Sequence, residues 1–422
     1  MHLIIFSSTL TPRIKYIFNF IFKDILKAEV EFTGNSQHFA QSEHAKISYG
    51  DQPLGDELFF KSTPLLFSNK VEEFVIKTTT FGDYQVPFPV DNSALPFDVF
   101  AASFFIVSRF EEYLHQKKSS EDFKPSKSYQ HKWRLLDKPI IDGWALILKN
   151  MIRKKYPAFK FHEKSFSHHP TINFKILPTA PEGFLLKTKF FFQAVFKKEM
   201  DYFSSRFDKV TGLSGSNEIL IKDVEQTFEN KKNSPIYFIE FPNVPLEFIL
   251  KDKVSKLLAN KTIGLLRPCA NENQKVGFIK EALLKLKKLY PTQVNLMSQQ
   301  LEVLKFPSCY LNLLNSGITS DYSMGYADTP GFRAGTCTAF NWYDLQLEKV
   351  TPLNIKPYSI TDTALEHTST KDALKILEEY IAIVRFVDGS FYSSWQLKNL
   401  SNNLKSKKLK NLFNELLKFA GN

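Results

Sequence analysis

The side chains best able to do chemistry crowd into one stretch, Gly317–Leu345, which reads GITSDYSMGYADTPGFRAGTCTAFNWYDL. It is dense in glycine, aromatics and polar groups that would be costly inside a plain core. Asp321, Arg333 and Asp344 are its key charged members. Arg333 stands on a strand-like segment between two glycines, where a buried guanidinium needs a carboxylate, and Asp321 is the natural candidate. Such a pair serves either a site or the structure alone. Asp362, in SITDTAL, is a further carboxylate at a strand-to-helix junction, where capping is an equally good role.

Other reactive residues are sparse. His168-His169 is the only histidine cluster in the sequence and reads as part of a polar linker. Only His367 lies after residue 169, so the second half is poor ground for a histidine-ligated metal. Cys269, Cys309 and Cys337 show no CxxC spacing and read as small buried apolar residues in a reducing compartment. The dinucleotide, P-loop, nucleophile-elbow and zincin motifs are all absent.

The elements that must position these residues follow from pattern. Leu3–Phe6 reads as a strand, and Thr11 with Pro12 opens a helix. A buried helix is expected from Asp98 to about His115, turning amphipathic at Arg109-Phe110-Glu111-Glu112-Tyr113. Glu72–Thr79 and Tyr84–Pro89 look like strands, and Gly143–Lys155 is a helix with Asp142 near its cap. A boundary falls near residues 157–170, giving an N-terminal mixed α+β domain over 1–165 and a second domain over 166–422.

The second half alternates. Strands are expected at Ile236–Phe241, Thr262–Leu266, Val294–Met297, Asp321–Tyr326, Gly331–Cys337 and Ser390–Trp395. Helices are expected at about Leu246–Asn260, Val276–Leu289, a segment ending at Gly317, Thr370–Phe386 and Asn403–Phe419. Such alternation implies parallel βαβ units, with the ligand site at the C-terminal ends of the strands.

Composition narrows the classes. The chain has 422 residues, 43% hydrophobic and 23% charged, with 41 phenylalanines, as in a chain that buries large cores. Its net charge is +11, but only eight of its 55 basic residues are arginines. Lysine is a hydrated point charge and arginine the usual forked reader of phosphates and bases, so a nucleic-acid partner is not the expectation. No apolar run reaches the ~18 residues of a membrane span, and the N-terminus lacks a basic signal-peptide region. A cytoplasmic protein is expected.

At Gly317–Leu345 the chain resembles the polysaccharide deacetylase (NodB-homology) family, in a form common among Bacteroidetes-type bacteria with an extra N-terminal domain. The resemblance extends through ISYGDQPLGDELFFKS (Ile47–Ser62), DNSALPFDVFAASFFIVSRFEEYL (Asp91–Leu114) and KPIIDGWA (Lys138–Ala145). It implies a distorted (β/α) barrel holding a divalent metal, usually zinc, on one aspartate and two histidines. A second aspartate would act as base on the metal-bound water and a late histidine as acid. The reaction would hydrolyse an N- or O-acetyl group on a polysaccharide.

This sequence departs from that pattern at every reactive position. The first motif, similar to PTIDID in the family, is here Pro170-Thr171-Ile172-Asn173-Phe174-Lys175. Leu266 stands where a ligand histidine is implied, Ser298-Gln299-Gln300 replaces an RQH motif, and Trp395-Gln396-Leu397 replaces Trp-His-Asn. Asp321, Arg333, Asp344, Asp362 and Trp395 still match. Leu266 cannot coordinate, amides are weak ligands and Lys175 would repel a cation. No metal or cofactor is therefore expected, and Asn173, Lys175 and Gln396 mark the lost catalytic positions, with Asn173, Leu266 and Gln300 at the lost ligand positions.

The resulting expectation is a catalytically inactive member with a carbohydrate-binding or scaffolding role, and a polysaccharide or protein partner. Its pocket would comprise Asp321, Tyr322, Arg333, Asp344, Asp362 and Trp395, with Tyr322, Tyr326, Trp342 and Trp395 offering faces to sugar rings. Lys175 is expected to pair with Asp321 or Asp362 in place of the metal, a role Arg333 could share. Two alternatives stay open: an active deacetylase with ligands relocated to His168 and His169, and a lysine-rich binder of acidic polymers or nucleic acid.

Overall fold

The computed structural model describes residues 2–119, 121, 123–176, 217–229, 231, 233–241, 254–268, 276–290, 294–300 and 304–421. The chain opens with β1 (Leu3–Phe6) and α1 (Pro12–Asn19), continued by a π-turn segment to Ile25. Thr11 caps α1 by accepting from Ile14 N, with Pro12 in the first turn as its spacing predicts. Then follow β2 (Val30–Thr33), α2 (Ser36–Gln41), β3 (Ala45–Gly50) and β4 (Leu58–Lys61). These strands form a four-stranded parallel sheet in the order β2-β1-β3-β4. A separate hairpin pairs β5 (Thr78–Phe81) with β6 (Tyr84–Pro87), so the strand expected from Glu72 begins later.

The long helix expected over Asp98–His115 is two helices, α3 (Val99–Val107) and α4 (Phe110–Lys118). The break lies at Arg109, whose backbone is left-handed with φ 57°. That turn lets its guanidinium fold back to Ile106 O and reach Gln130 instead of running along the helix. α5 (Tyr129–Lys132) and α6 (Ile140–Lys155) complete the first half.

The second half begins with β7 (Ser167–Lys175), and the 165/166 division falls in the coil between α6 and β7. Next come α7 (Asn217–Phe228), β8 (Ile236–Glu240), α8 (Val254–Leu257), β9 (Ile263–Pro268), α9 (Val276–Leu289) and β10 (Leu296–Gln300). The start of the helix expected from Leu246 lies outside the described residues. α10 (Ser308–Asn315), β11 (Ser320–Asp321), β12 (Phe340–Asp344), β13 (Lys349–Ile355) and β14 (Ile360–Thr361) follow. The chain closes with α11 (Asp362–Glu366), α12 (Thr370–Phe386), β15 (Ser390–Gln396) and α13 (Lys407–Ala420).

These strands form one nine-stranded sheet, β12-β13-β11-β10-β9-β8-β7-β15-β14, parallel except for the β12–β13 hairpin. The protein is therefore mixed α/β. Among the described residues no pairing joins β12 to β14, so the sheet is open where a barrel was expected. The β12 edge is covered by the first half: Tyr16 Oη donates to Asn341 O at 2.9 Å, and Phe20 packs edge-on against Phe340. Such cover removes the need to close the sheet on itself. One apolar core runs through both halves, from Leu3 to Ala420. Among the described residues no helix is long and apolar enough to cross a membrane.

Two segments expected as strands are turns. Ser323 donates from both its backbone N and its Oγ to the Asp321 carboxylate, at 3.1 and 2.6 Å, and this turn ends β11 after two residues. Residues 331–337 form a turn closed by Gly335 in a left-handed conformation, with Gly335 N donating to Phe332 O.

Candidate functional site

Register decides which side chains meet. Gln396 on β15 lies opposite Asn173 on β7, Asn173 opposite Phe238 on β8, and Phe238 opposite Gly264 on β9. Because a strand alternates faces, Lys175, Glu240 and Leu266 lie on that same inner face, two residues nearer the C-terminal ends. The inner face is thus where Asn173, Lys175, Leu266 and Gln396 come together. Gln300 ends β10, and its side chain lies outside the described residues, as does the whole of Cys269.

Apart from Lys175 and Glu240 at its edge, this face is largely aromatic. Phe238, Leu266, Tyr322, Tyr358 and Tyr392 form a buried cluster of their own. Phe238 and Tyr322 are 5.1 Å apart between ring centres, and Tyr322 and Tyr392 are 6.1 Å apart. Gly264 is required here: a Cβ would stand 2.4 Å from the Phe238 ring that crosses it. Burial pushes the Tyr322 phenol up to about 12, so it stays a neutral group. Asn173 is buried and donates to Ser394 Oγ at 2.8 Å.

Lys175 does not pair with Asp321 or Asp362. Its ammonium sits 3.8 Å from Glu240, its register partner on β8, and both side chains are partly exposed. The correction has a simple cause, since Asp321 is in register with Met297 on the opposite face of the sheet. Asp321 is fully buried there, and desolvation raises it to about 6 against the two hydrogen bonds from Ser323. Trp395, in register with Ile172, also faces away. It packs edge-on against Phe413 of α13 at 5.0 Å, and its Nε1 donates to Ser393 Oγ.

The remaining sites are dispersed. Asp362 begins α11, and the cap itself is Thr361. Its carboxylate accepts from Gln396 N at 2.7 Å and Asn399 Nδ2 at 2.8 Å, bracing the end of β15. Asp344 ends β12 and accepts from the backbone of Gln346 and Leu347. Tyr322, Tyr326, Trp342 and Trp395 are 9%, 5%, 3% and 0% exposed, so none offers a free face to a sugar ring.

Arg333 does not pair with Asp321 either. Its guanidinium grips Glu112 of the first half in a forked pair, Nε to Oε1 at 2.9 Å and Nη2 to Oε2 at 2.6 Å. Arg109 shares that carboxylate at 2.8 Å, and its Nη1 also donates to Arg333 O and Gln130 Oε1. Burial raises the Glu112 carboxyl, but Arg333 and Arg109 outweigh it and hold the group below its usual range. Nearby, Asp142 of α6 accepts from Thr336 Oγ1, Thr338 Oγ1 and Cys337 N. The segment that looked like an active-site loop is therefore the seam between the two halves. No local spacing signals this pairing, because Arg333 and Glu112 are 221 positions apart in the chain.

His168 and His169 are not in a linker. Both lie on β7, between β8 and β15 in the large sheet. His168 is fully buried and lowered to about 3 by desolvation, then by His169. Its Nε2 meets Ser393 Oγ at 2.9 Å. The same Ser393 oxygen accepts from Trp395 Nε1 at 3.1 Å, so it links the two rings. His169 stacks on Tyr392 and is lowered to about 4 by burial, then by Lys356. The two rings belong to opposite faces of the sheet.

The divalent metal implied by the resemblance does not fit this donor set. An amide, an ammonium, an alkyl group and a second amide stand at Asn173, Lys175, Leu266 and Gln396. Among the described residues no group of three or more His, Cys, Asp or Glu side chains is arranged to hold an ion.

Residues 3–157 match a family model described as a family of unknown function, DUF7033. No curated protein matches the chain. A crystal structure provisionally described as a polysaccharide deacetylase from Mycobacterium smegmatis is similar at 11% identity with a TM-score of 0.39, covering 61% of this chain and 86% of that one.

Proposed function

We propose that this chain is a polysaccharide-deacetylase-like protein that binds carbohydrate without hydrolysing it. The resemblance of Gly317–Leu345 and the N-terminal motifs supplies the substrate class. The barrel-derived architecture belongs to the same reading, with the seam against the first half taking the place of closure. The observation that carries the loss of chemistry is the inner face itself. Asn173 and Lys175 stand where carboxylates would be needed, and Leu266 is packed among Phe238, Tyr322, Tyr358 and Tyr392. A zinc-bound nucleophile requires about three ligands of carboxylate, imidazole or thiolate type, and this face supplies none of them at those positions.

The test is acetate release from N-acetylated chito-oligosaccharide and from acetylated xylan, with and without added Zn²⁺. The expected result is no release above the protein-free rate in either condition, together with measurable binding of a saccharide by calorimetry. Acetate release that a chelator abolishes would overturn the reading.

A further inference from the structure

The β5–β6 hairpin leaves an edge open. Its two-stranded sheet has no third member among the described residues, so the outer edge of β5 is unpaired. The chain leading into β5 prolongs that edge. Residues 68–77 contain no turn or bend, and the N–H and C=O groups of residues 72–76 make no backbone hydrogen bond among the described residues. An edge of this kind is a template for another strand unless something covers it.

Alternation orients the run. Lys77 O accepts from Phe88 N at 3.1 Å, so odd-numbered backbone groups face β6 and those of residues 72, 74, 76 and 78 face outward. Phe74 turns its ring into the first half, 6.0 Å from Phe88 and Phe110 and 6.3 Å from Phe105. Glu73, Val75 and Lys77 therefore share the other face. Val75 is 89% exposed there, with a carboxylate two residues before it and an ammonium two residues after.

That spacing is complementary to itself. Outward groups at even positions need even positions opposite them, which the same segment supplies when it runs antiparallel about an axis through one residue. Centred on Val75, Phe74 stands opposite the partner's Ile76, Val75 meets the partner's Val75, and Glu73 meets the partner's Lys77, twice by symmetry. Moving the centre to Phe74 or Ile76 sets Lys77 against a valine and Glu73 against a valine or threonine, so charge selects the register. Glu73 also meets Lys118 of its own chain, but both side chains are exposed and such a pair contributes little. We propose that residues 72–78 form a dimer edge, pairing antiparallel with the same segment of a second copy across a two-fold axis at Val75.

The experiment is sedimentation equilibrium of the full chain over a range of concentrations. It is repeated on Glu73→Lys, on Lys77→Glu, on the double exchange, and on an equimolar mixture of the two single variants. The unmodified chain should dimerise. Each single variant should dimerise at least ~10-fold more weakly, because symmetry turns two attractive cross-strand pairs into two repulsive ones. The double variant and the mixture should both recover the dimer, since each restores opposite charges across the edge. Recovery in the mixture separates pairing from damage to the fold, as neither component has changed. A chain that stays monomeric up to ~100 μM would overturn the proposal. So would a dimer that either single variant leaves intact, or one that the mixture fails to restore.

Discussion

The seam around Glu112 and the inner face around Leu266 are both buried and both lined with rings, yet they are built from opposite chemistry. The seam holds four charged side chains, Arg109, Glu111, Glu112 and Arg333, each bonded to another. The inner face holds Phe238, Leu266, Tyr322, Tyr358 and Tyr392, with an ion pair between Lys175 and Glu240 at its edge. Paired charges join the two halves of the chain at the seam, while the inner face is mostly aromatic. The difference teaches that a segment dense in glycine, rings and charge can serve architecture. Arg333 was expected to line a pocket, but its partner is Glu112, a carboxylate of the first half.

The sharpest way to break this comparison is Glu112→Gln. It removes the one carboxylate that Arg109 and Arg333 share and leaves two buried guanidiniums facing each other. Unfolding by denaturant should show a loss of about 3–5 kcal/mol, as for breaking one partner of a buried ion pair. A loss under about 1 kcal/mol would mean that the seam does not depend on its charges.

A second variant asks the opposite question of the inner face. Leu266→His restores the imidazole that the resemblance implies but places it among rings without a partner. We expect a loss of about 2–4 kcal/mol from the buried polar group and the lost packing. We also expect no gain in zinc affinity, since Asn173 and Lys175 are unchanged. Tight, stoichiometric zinc binding by this single variant would show that the face is a metal site lacking only one ligand.

The smallest effect concerns pH. His168 takes a proton in the unfolded chain near pH 6.5 but resists it in the fold down to about 3. Its contribution to stability is therefore present above the unfolded value and is lost as pH falls below it. Asp321 acts in the other direction, because its folded value near 6 means that the fold takes up a proton before the unfolded chain does. His168→Gln keeps a partner for Ser393 and removes only the titration. Between pH 7 and pH 5 its stability should fall by about 2 kcal/mol less than that of the unmodified chain, read from melting curves at each pH. Parallel curves would place the acid sensitivity elsewhere.

Much of the local structure was legible in the sequence. Thr11-Pro12 opens α1, and Val276–Leu289 and Thr370–Phe386 run as their periodicity predicts. These depend on neighbours a few residues apart, which a pattern samples directly. The candidate site was less legible. Asn173, Lys175, Leu266 and Gln396 were singled out and do share a face, but the partners given to Lys175 and Arg333 were wrong. Nothing in a one-dimensional reading distinguishes Asp321 from Glu240 or Glu112 as a counter-charge.

By itself, then, the sequence determined residue chemistry and local geometry: an amide and an ammonium at the first motif, a leucine in the third βαβ strand, and alternating strands and helices. Tertiary structure alone decided partnership. Strand register turned Asp321 and Trp395 to the face opposite Asn173, and the left-handed turn at Arg109 carried its guanidinium toward Arg333. The physical reason is range. Propensity and capping act within one helical turn, whereas the pairing of Arg333 with Glu112 spans 221 positions of chain and exists only once both sheets are packed.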